Sequence, residues 1–140
     1  MNELDLRYLL LDAFRALDRE IGAALEDRGV GELRPSQAAT LLLVDRAGTR
    51  LSDMAQRAEV TKQAMMQLVD DLQEMGCVRR VPDPEDARAK FVRLTAKGLR
   101  HRASSRKAIQ AVDSRIRRRL GSRRYEALRA FLADVSQGEE

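Results

Sequence analysis

The chain is poor in the residues that most often carry chemistry: its 140 residues include one cysteine, one histidine and no tryptophan. A lone Cys77 can form no disulfide within the chain and no cysteine-based metal site. A lone His101 leaves the usual transition-metal constellations short of ligands. Aromatic residues are 4% of the chain, too few for the exposed stacking platform that holds single-stranded nucleic acid. No nucleophile–base pair, carboxylate pair or phosphate-cradling glycine loop stands out, so no catalytic residue, metal or cofactor is expected. No stretch approaches the roughly 18 apolar residues of a membrane span. The opening MNELDLRYLL carries acids early and no apolar run of signal length. These absences lead to the expectation of a cytoplasmic protein with no membrane partner.

Charge is abundant and unevenly placed. Charged residues are 34% of the chain and the net charge is +4. Residues 1–32 hold 8 acids and 4 bases, whereas residues 97–124 hold 11 bases and one acid, Asp113. Residues 33–96 are nearly balanced, with 10 bases and 9 acids. Bulk charge in that middle segment is therefore a weak reason to expect a polyanionic partner. Position has to supply the reason.

Leu10, Phe14, Leu17, Ile21 and Leu25 keep helical spacing through residues 4–28 and predict a long amphipathic helix, ended by Gly29-Val30-Gly31. Pro35 opens a second helix, whose body Ala38–Asp45 is apolar enough to be buried on most sides. Ser52 is suited to N-cap a short third helix, Asp53–Ala58. Glu59-Val60 makes a turn, and Thr61 caps a fourth helix, Lys62–Met75, which Gly76 ends. Two helices joined by a short turn form a helix-turn-helix. Val78–Val81 and Phe91–Thr95 then predict two strands around a charged loop that begins with the turn-former Asp83-Pro84. Thr95 can cap a long helix to about Leu120, and Arg123–Val135 makes the last, with Leu128, Phe131, Leu132 and Val135 on its apolar face. The expected fold is mainly α: a winged helix-turn-helix with a β-hairpin wing, residues 33–95. N-terminal (1–32) and C-terminal (96–140) helices would form a dimerisation lobe between two chains, since neither has a large core of its own to join.

In the fourth helix, Ala64, Leu68, Leu72 and Met75 are expected to face the core, leaving Lys62, Gln63, Met66, Gln67 and Asp70 outward. Gln pairs with adenine N6 and N7, Lys with guanine O6 and N7, and Met66 can touch a thymine methyl. These residues fill the first two turns, the part of a recognition helix that enters the major groove. In the loop, Arg88 suits a minor groove, with Lys90 beside it and Asp86 placed to orient it. Phosphate contacts are expected at helix N-termini, at Ser36, Gln37, Ser52 and Thr61. A solvated polar face is the plain alternative for any one helix; the adjacent wing favours double-stranded DNA. An architectural DNA-binding protein with little sequence preference, encouraged by the basic segment 97–124, is the second reading. Cys77 is expected to be buried and inert, His101 to lie on the surface, and Arg115–Arg119 to be solvated or paired with the acidic first helix.

The segments DPEDARAKFVRLTAKG, residues 83–98, and LSDMAQRAEVTKQAMMQLVDDLQEMGCVRR, residues 51–80, resemble the wing and helix-turn-helix of the MarR family, the multiple-antibiotic-resistance type of winged-helix regulators. The likeness runs over about residues 4–136. It implies a triangular homodimer, its interface built from the first and last two helices. It also implies Lys62–Gln67 in a major groove, Arg88 in a flanking minor groove and a pseudo-palindromic operator. Family members commonly repress transcription until a small effector, often aromatic or phenolic, binds between the two lobes. The chain departs from the pattern at Arg34, where the family often has Thr or another capping residue, so the second helix is expected to start less firmly. It departs again at Met66, a place often filled by a small or polar residue, and it has no cysteine in the first helix for peroxide sensing.

Overall fold

The computed structural model describes residues 5–138. Six helices and a small sheet follow one another as α1 (Leu6–Asp27), α2 (Pro35–Leu41), β1 (Thr49–Arg50), α3 (Leu51–Ala58), α4 (Lys62–Glu74), β2 (Val78–Pro82), β3 (Lys90–Leu94), α5 (Ala96–Leu120) and α6 (Ser122–Gln137). The sheet is antiparallel in the order β1-β3-β2, with Val78 opposite Leu94 and Pro82 opposite Lys90. This is a winged helix-turn-helix flanked by terminal helices.

Local chemistry sets most helix ends. Thr61 Oγ1 accepts the Ala64 N–H at 3.0 Å, and Thr95 Oγ1 accepts the Gly98 N–H at 3.0 Å. Each satisfies one amide that the first turn leaves free. Glu59 closes α3 in the left-handed region, at φ 55°.

Three details differ from the sequence expectations. Strand β1 was not foreseen: two residues cannot show a period, yet Thr49 pairs with Val92 and Arg50 with Phe91. That pairing commits Arg50 to the sheet, so α3 starts directly after it and Ser52 lies inside the first turn rather than at the N-cap. On α4 the buried residues are Met65, Val69 and Leu72; Ala64 is exposed, and Leu68 and Met75 are half-buried. Apolar residues span a wide arc of this helix, so periodicity alone leaves its rotation open, and the turn at Glu59 fixes it.

The core gathers Leu25 from α1, Ala38 and Leu41 from α2, Met54 from α3, Met65, Val69 and Leu72 from α4, Val78 and Val92 from the sheet, and Ala108 and Val112 from α5. Only the last turns of α1 join it. Phe14 is 60% exposed and Phe131 on α6 is 66% exposed, with Leu6, Leu9, Leu128 and Val135 open as well. Burying such side chains is worth about 1.5–3 kcal/mol each. Among the described residues, every exposed large hydrophobic except Val60 sits on α1 or α6.

Charge ties the terminal helices together. Glu20 on α1 meets Arg115 at 3.5 Å and Arg119 at 3.3 Å on α5, and Arg117 meets Glu126 on α6 at 2.9 Å. The α5–α6 elbow closes on Tyr125, which is buried and donates to both Asp113 carboxylate oxygens, at 2.5 and 2.6 Å. His101, expected on the surface, is instead largely covered, its side chain 15% exposed and its Nε2 2.8 Å from Glu32 Oε1. The loop after α1 folds over α5 and brings Glu32 there.

Two glycines are required by close approach. A Cβ on Gly48, which has φ +100°, would stand 2.2 Å from the Phe91 ring. A Cβ on Gly98 would stand 1.8 Å from the Cys77 carbonyl oxygen, which is backbone and cannot swing away. Overpacking of this kind costs typically about 1–3 kcal/mol, a sizeable fraction of the roughly 5–15 kcal/mol that holds a domain folded. Gly98→Ala should lower the urea midpoint of unfolding clearly, because α5 has to move off the sheet. An unchanged midpoint would show that α5 has room to slide.

A candidate DNA-reading groove between the recognition helix and the wing

A cleft of about 550 Å³ runs between α4 and the β2–β3 loop. Lys62, Gln63, Met66 and Gln67 line it from α4, Arg88 and Lys90 from the wing, and Ser52 from the first turn of α3. Seven of the ten expected contact residues thus meet in one place. Thr61 is exposed at the head of α4, with its hydroxyl engaged as the cap. Ser36 is exposed on α2, away from the residues lining the cleft.

Gln37 is a correction. It is buried at 6% exposure, its N–H bonds to the Arg34 carbonyl, and its Oε1 accepts the Arg34 N–H at 2.9 Å. Its backbone N–H and its Oε1 are both engaged inside the first turn of α2, so it does not present a free helix N-terminus to a phosphate. It caps α2 from inside, so the helix starts firmly although Arg34 has no side-chain acceptor.

The wing is stiffened at both ends by aspartates. At its tip the Asp86 carboxylate accepts the Arg88 backbone N–H at 3.0 Å, and the Ala89 N–H bonds to the Asp86 carbonyl at 3.0 Å. Asp86 therefore shapes the backbone under Arg88, as Asx turns do, rather than holding the guanidinium. At the root, Arg50 of β1 donates to Asp83, which is buried and also accepts the Glu85 N–H at 2.8 Å. Glu85 reaches Arg50 too, at 3.6 Å. The Glu85 N–H and Arg50 hold the Asp83 carboxyl below the usual carboxylate range. Sequence reading missed Arg50 because its partner lies 33 residues away.

Arg80, also unforeseen, spans the gap between wing and helix. Its guanidinium lies 3.2 Å from Asp70 and 3.3 Å from the Met66 sulfur, while its backbone N–H bonds to Gln73. Met66 is consequently half-buried rather than fully presented. Among the described residues, Lys62, Arg88 and Lys90 have no carboxylate partner. They are exposed and form the positive rim of the cleft.

The MarR family model matches residues 32–89, which run from the start of α2 to the wing tip. Over that span the chain is similar to the MarR family. It is 29% identical over 119 residues to the HTH-type transcriptional repressor Rv2887 of Mycobacterium tuberculosis, covering 85% of this chain and 84% of the relative. Its fold is similar to that of MepR from S. aureus in a DNA complex (TM-score 0.83, 19% identity, 96% of this chain and 98% of the other). It is also similar to the transcriptional repressor CouR bound to a 23-mer DNA duplex (TM-score 0.80, 23% identity, 96% and 99%). CouR from Rhodococcus jostii RHA1 bound to p-coumaroyl-CoA is alike as well (TM-score 0.78, 24% identity, 97% and 94%).

Cys77 is fully buried, and burial pushes its thiol pKa up. The thiolate is the reactive form, so a thiol reagent at neutral pH should label Cys77 only after unfolding. Rapid labelling of the native protein would show that the end of α4 opens.

The depressed Asp83 carboxyl sets a pH dependence. The ionised form is favoured by folding, so its stabilisation is full above the ordinary aspartate pKa of about 3.9 and is lost as pH falls through the lower folded value. The stability gap between the wild type and Asp83→Asn should be widest near neutrality and close below about pH 4. A gap unchanged across thermal melts from pH 7 to pH 3 would exclude the Arg50–Asp83 pair as its source.

Proposed function

We propose that this chain is a sequence-specific, double-stranded-DNA-binding transcriptional repressor that works as a homodimer. The observation that carries the reading is the groove itself, where unpaired Lys62, Arg88 and Lys90 flank the hydrogen-bonding amides of Gln63 and Gln67. Cations give affinity through phosphates, and side-chain amides give base preference. In this reading α4 enters a major groove, Arg88 reaches the adjoining minor groove, and Ser52 and Thr61 bring helix N-termini to phosphates. The DNA-bound likenesses to MepR and CouR support it.

The dimer follows from the apolar side chains left open on α1 and α6. Two copies sharing those faces would place two α4 helices at half-sites about one helical turn apart, and the operator would be a pseudo-palindrome. A small-molecule effector, aromatic or phenolic in character, releases the DNA in this reading, and the CouR complex with p-coumaroyl-CoA is its support. The effector acts by favouring a dimer whose reading helices are wrongly spaced, a coupling typically of about 1–3 kcal/mol.

The architectural alternative draws on the basic segment of α5. There Arg115, Arg117 and Arg119 are paired with Glu20 and Glu126, and Arg102 donates to the Val44 carbonyl. Arg100, Arg106, Lys107 and Arg118 on the same helix are exposed and have no carboxylate partner among the described residues, so duplex selection is what separates the two readings.

Selection of bound duplexes from a random pool, with the mass in solution measured beside it, tests the reading. An inverted repeat bound by a species of twice 15.8 kDa is expected. Tight binding without any enriched motif would favour the architectural alternative. Arg88→Ala should weaken operator binding and reduce the salt slope by about 1, with the melting temperature unchanged. A fall in melting temperature instead would make Arg88 structural.

A further inference from the structure

Gln67 does not hang free in the groove. Its Nε2 donates to Asp71 Oδ1, one helical turn on, at 3.1 Å. The other oxygen of that carboxylate, Oδ2, is engaged by Arg34 NH2 at 3.4 Å. Arg34 comes from the start of α2, and its own backbone N–H is held by the buried Gln37 at 2.9 Å. A chain of contacts therefore runs from the inside of α2 to the tip of a groove-lining side chain: Gln37, Arg34, Asp71, Gln67.

The chemistry of this chain has a direction. An ionised carboxylate only accepts hydrogen bonds, so the edge of the amide turned to Asp71 must be the NH2 and not the oxygen. One of the two N–H groups is thereby used. What Gln67 keeps for a partner is its carbonyl oxygen and one N–H, an acceptor beside a donor. In the major groove adenine offers a donor at N6 beside an acceptor at N7, whereas guanine offers two acceptors, O6 and N7. A free glutamine can turn its NH2 towards guanine and give both N–H groups; one tied to Asp71 cannot, and its oxygen would face O6.

We infer that Asp71, anchored by Arg34, fixes the amide of Gln67 so that it accepts adenine and rejects guanine at one position of each half-site. Asp71 and Arg34 are positioning residues here, and Gln67 is the one that touches the base. The inference rests on the DNA-reading role proposed above.

The test is duplex selection from a random pool by the full chain and its variants, with melting temperatures measured alongside. The wild type should enrich adenine over guanine by about tenfold or more at one purine position, and Gln67→Ala should abolish that preference there alone. Asp71→Ala should bring guanine to within about threefold of adenine at that same position, with the rest of the motif intact. Arg34→Ala, which frees the carboxylate but leaves it in place, should give a smaller broadening and serves as the test if Asp71→Ala does not fold. The inference is overturned if Asp71→Ala leaves the adenine-to-guanine ratio unchanged. It is equally overturned if the position governed by Gln67 selects guanine, or if Asp71→Ala weakens binding to all sequences alike. A wild-type motif that Gln67→Ala does not alter defeats the inference while the repressor reading stands. No motif from the wild type defeats both.

Discussion

One joint holds the molecule's parts in register: the place where α5 begins against the end of α4. Thr95 does most of it. Its N–H bonds to the Cys77 carbonyl at 3.0 Å, its hydroxyl donates to the Gly76 carbonyl at 2.5 Å, and it accepts the Gly98 N–H as the cap of α5. Lys97 adds a bond to the Met75 carbonyl at 2.7 Å. Carbonyls that a helix end leaves free are thus satisfied by the next helix rather than by water. Gly98 allows the approach because any Cβ would occupy the space of the Cys77 carbonyl. The recognition helix, the wing strand β3 and the long helix leading to the open apolar faces all leave from this point. A change of angle here moves the reading groove relative to α1 and α6, the geometry on which the proposed release by an effector depends.

The groove and the wing owe their shape to carboxylates that do not themselves meet DNA in the proposed reading. Asp83 and Asp86 fold the wing, Asp70 and Asp71 arrange Arg80 and Gln67, and the cations without partners are left at the rim. This explains why the segment can be nearly neutral overall and still present a positive edge. Asp70, Asp71, Asp83 and Asp86 are each engaged with a backbone N–H, an arginine or an amide, while Lys62, Arg88 and Lys90 at the cleft have no carboxylate partner among the described residues.

The terminal helices show the opposite economy. Some of their charges are paired within the chain, Glu20 with Arg115 and Arg119 across α1 and α5, while large apolar side chains on α1 and α6 stay exposed. Surface ion pairs of this kind contribute about 0–1 kcal/mol each and mainly fix orientation. The burial still to be gained lies on Leu9, Phe14, Phe131 and Val135, and it can only be gained against another surface.

Legibility followed the distance between interacting residues. Thr61, Gly76, the turn at Glu59-Val60 and Thr95 in its role as a cap act through neighbours a few positions away, so the sequence by itself determined the helices, the hairpin, their order and the meeting of Lys62, Gln63, Gln67 and Arg88 in one site. Residue types with strict local geometry leave a readable mark. The tertiary structure alone decided the rotation of α4, the two-residue strand β1, the burial of Gln37, the partial covering of His101, and the pairings of Arg50 with Asp83 and Arg34 with Asp71. Those last partners stand 33 and 37 residues apart. An arginine bonds as readily to any carboxylate brought near it, and only the packing of the helices around Met54, Met65 and Leu72 says which one that is.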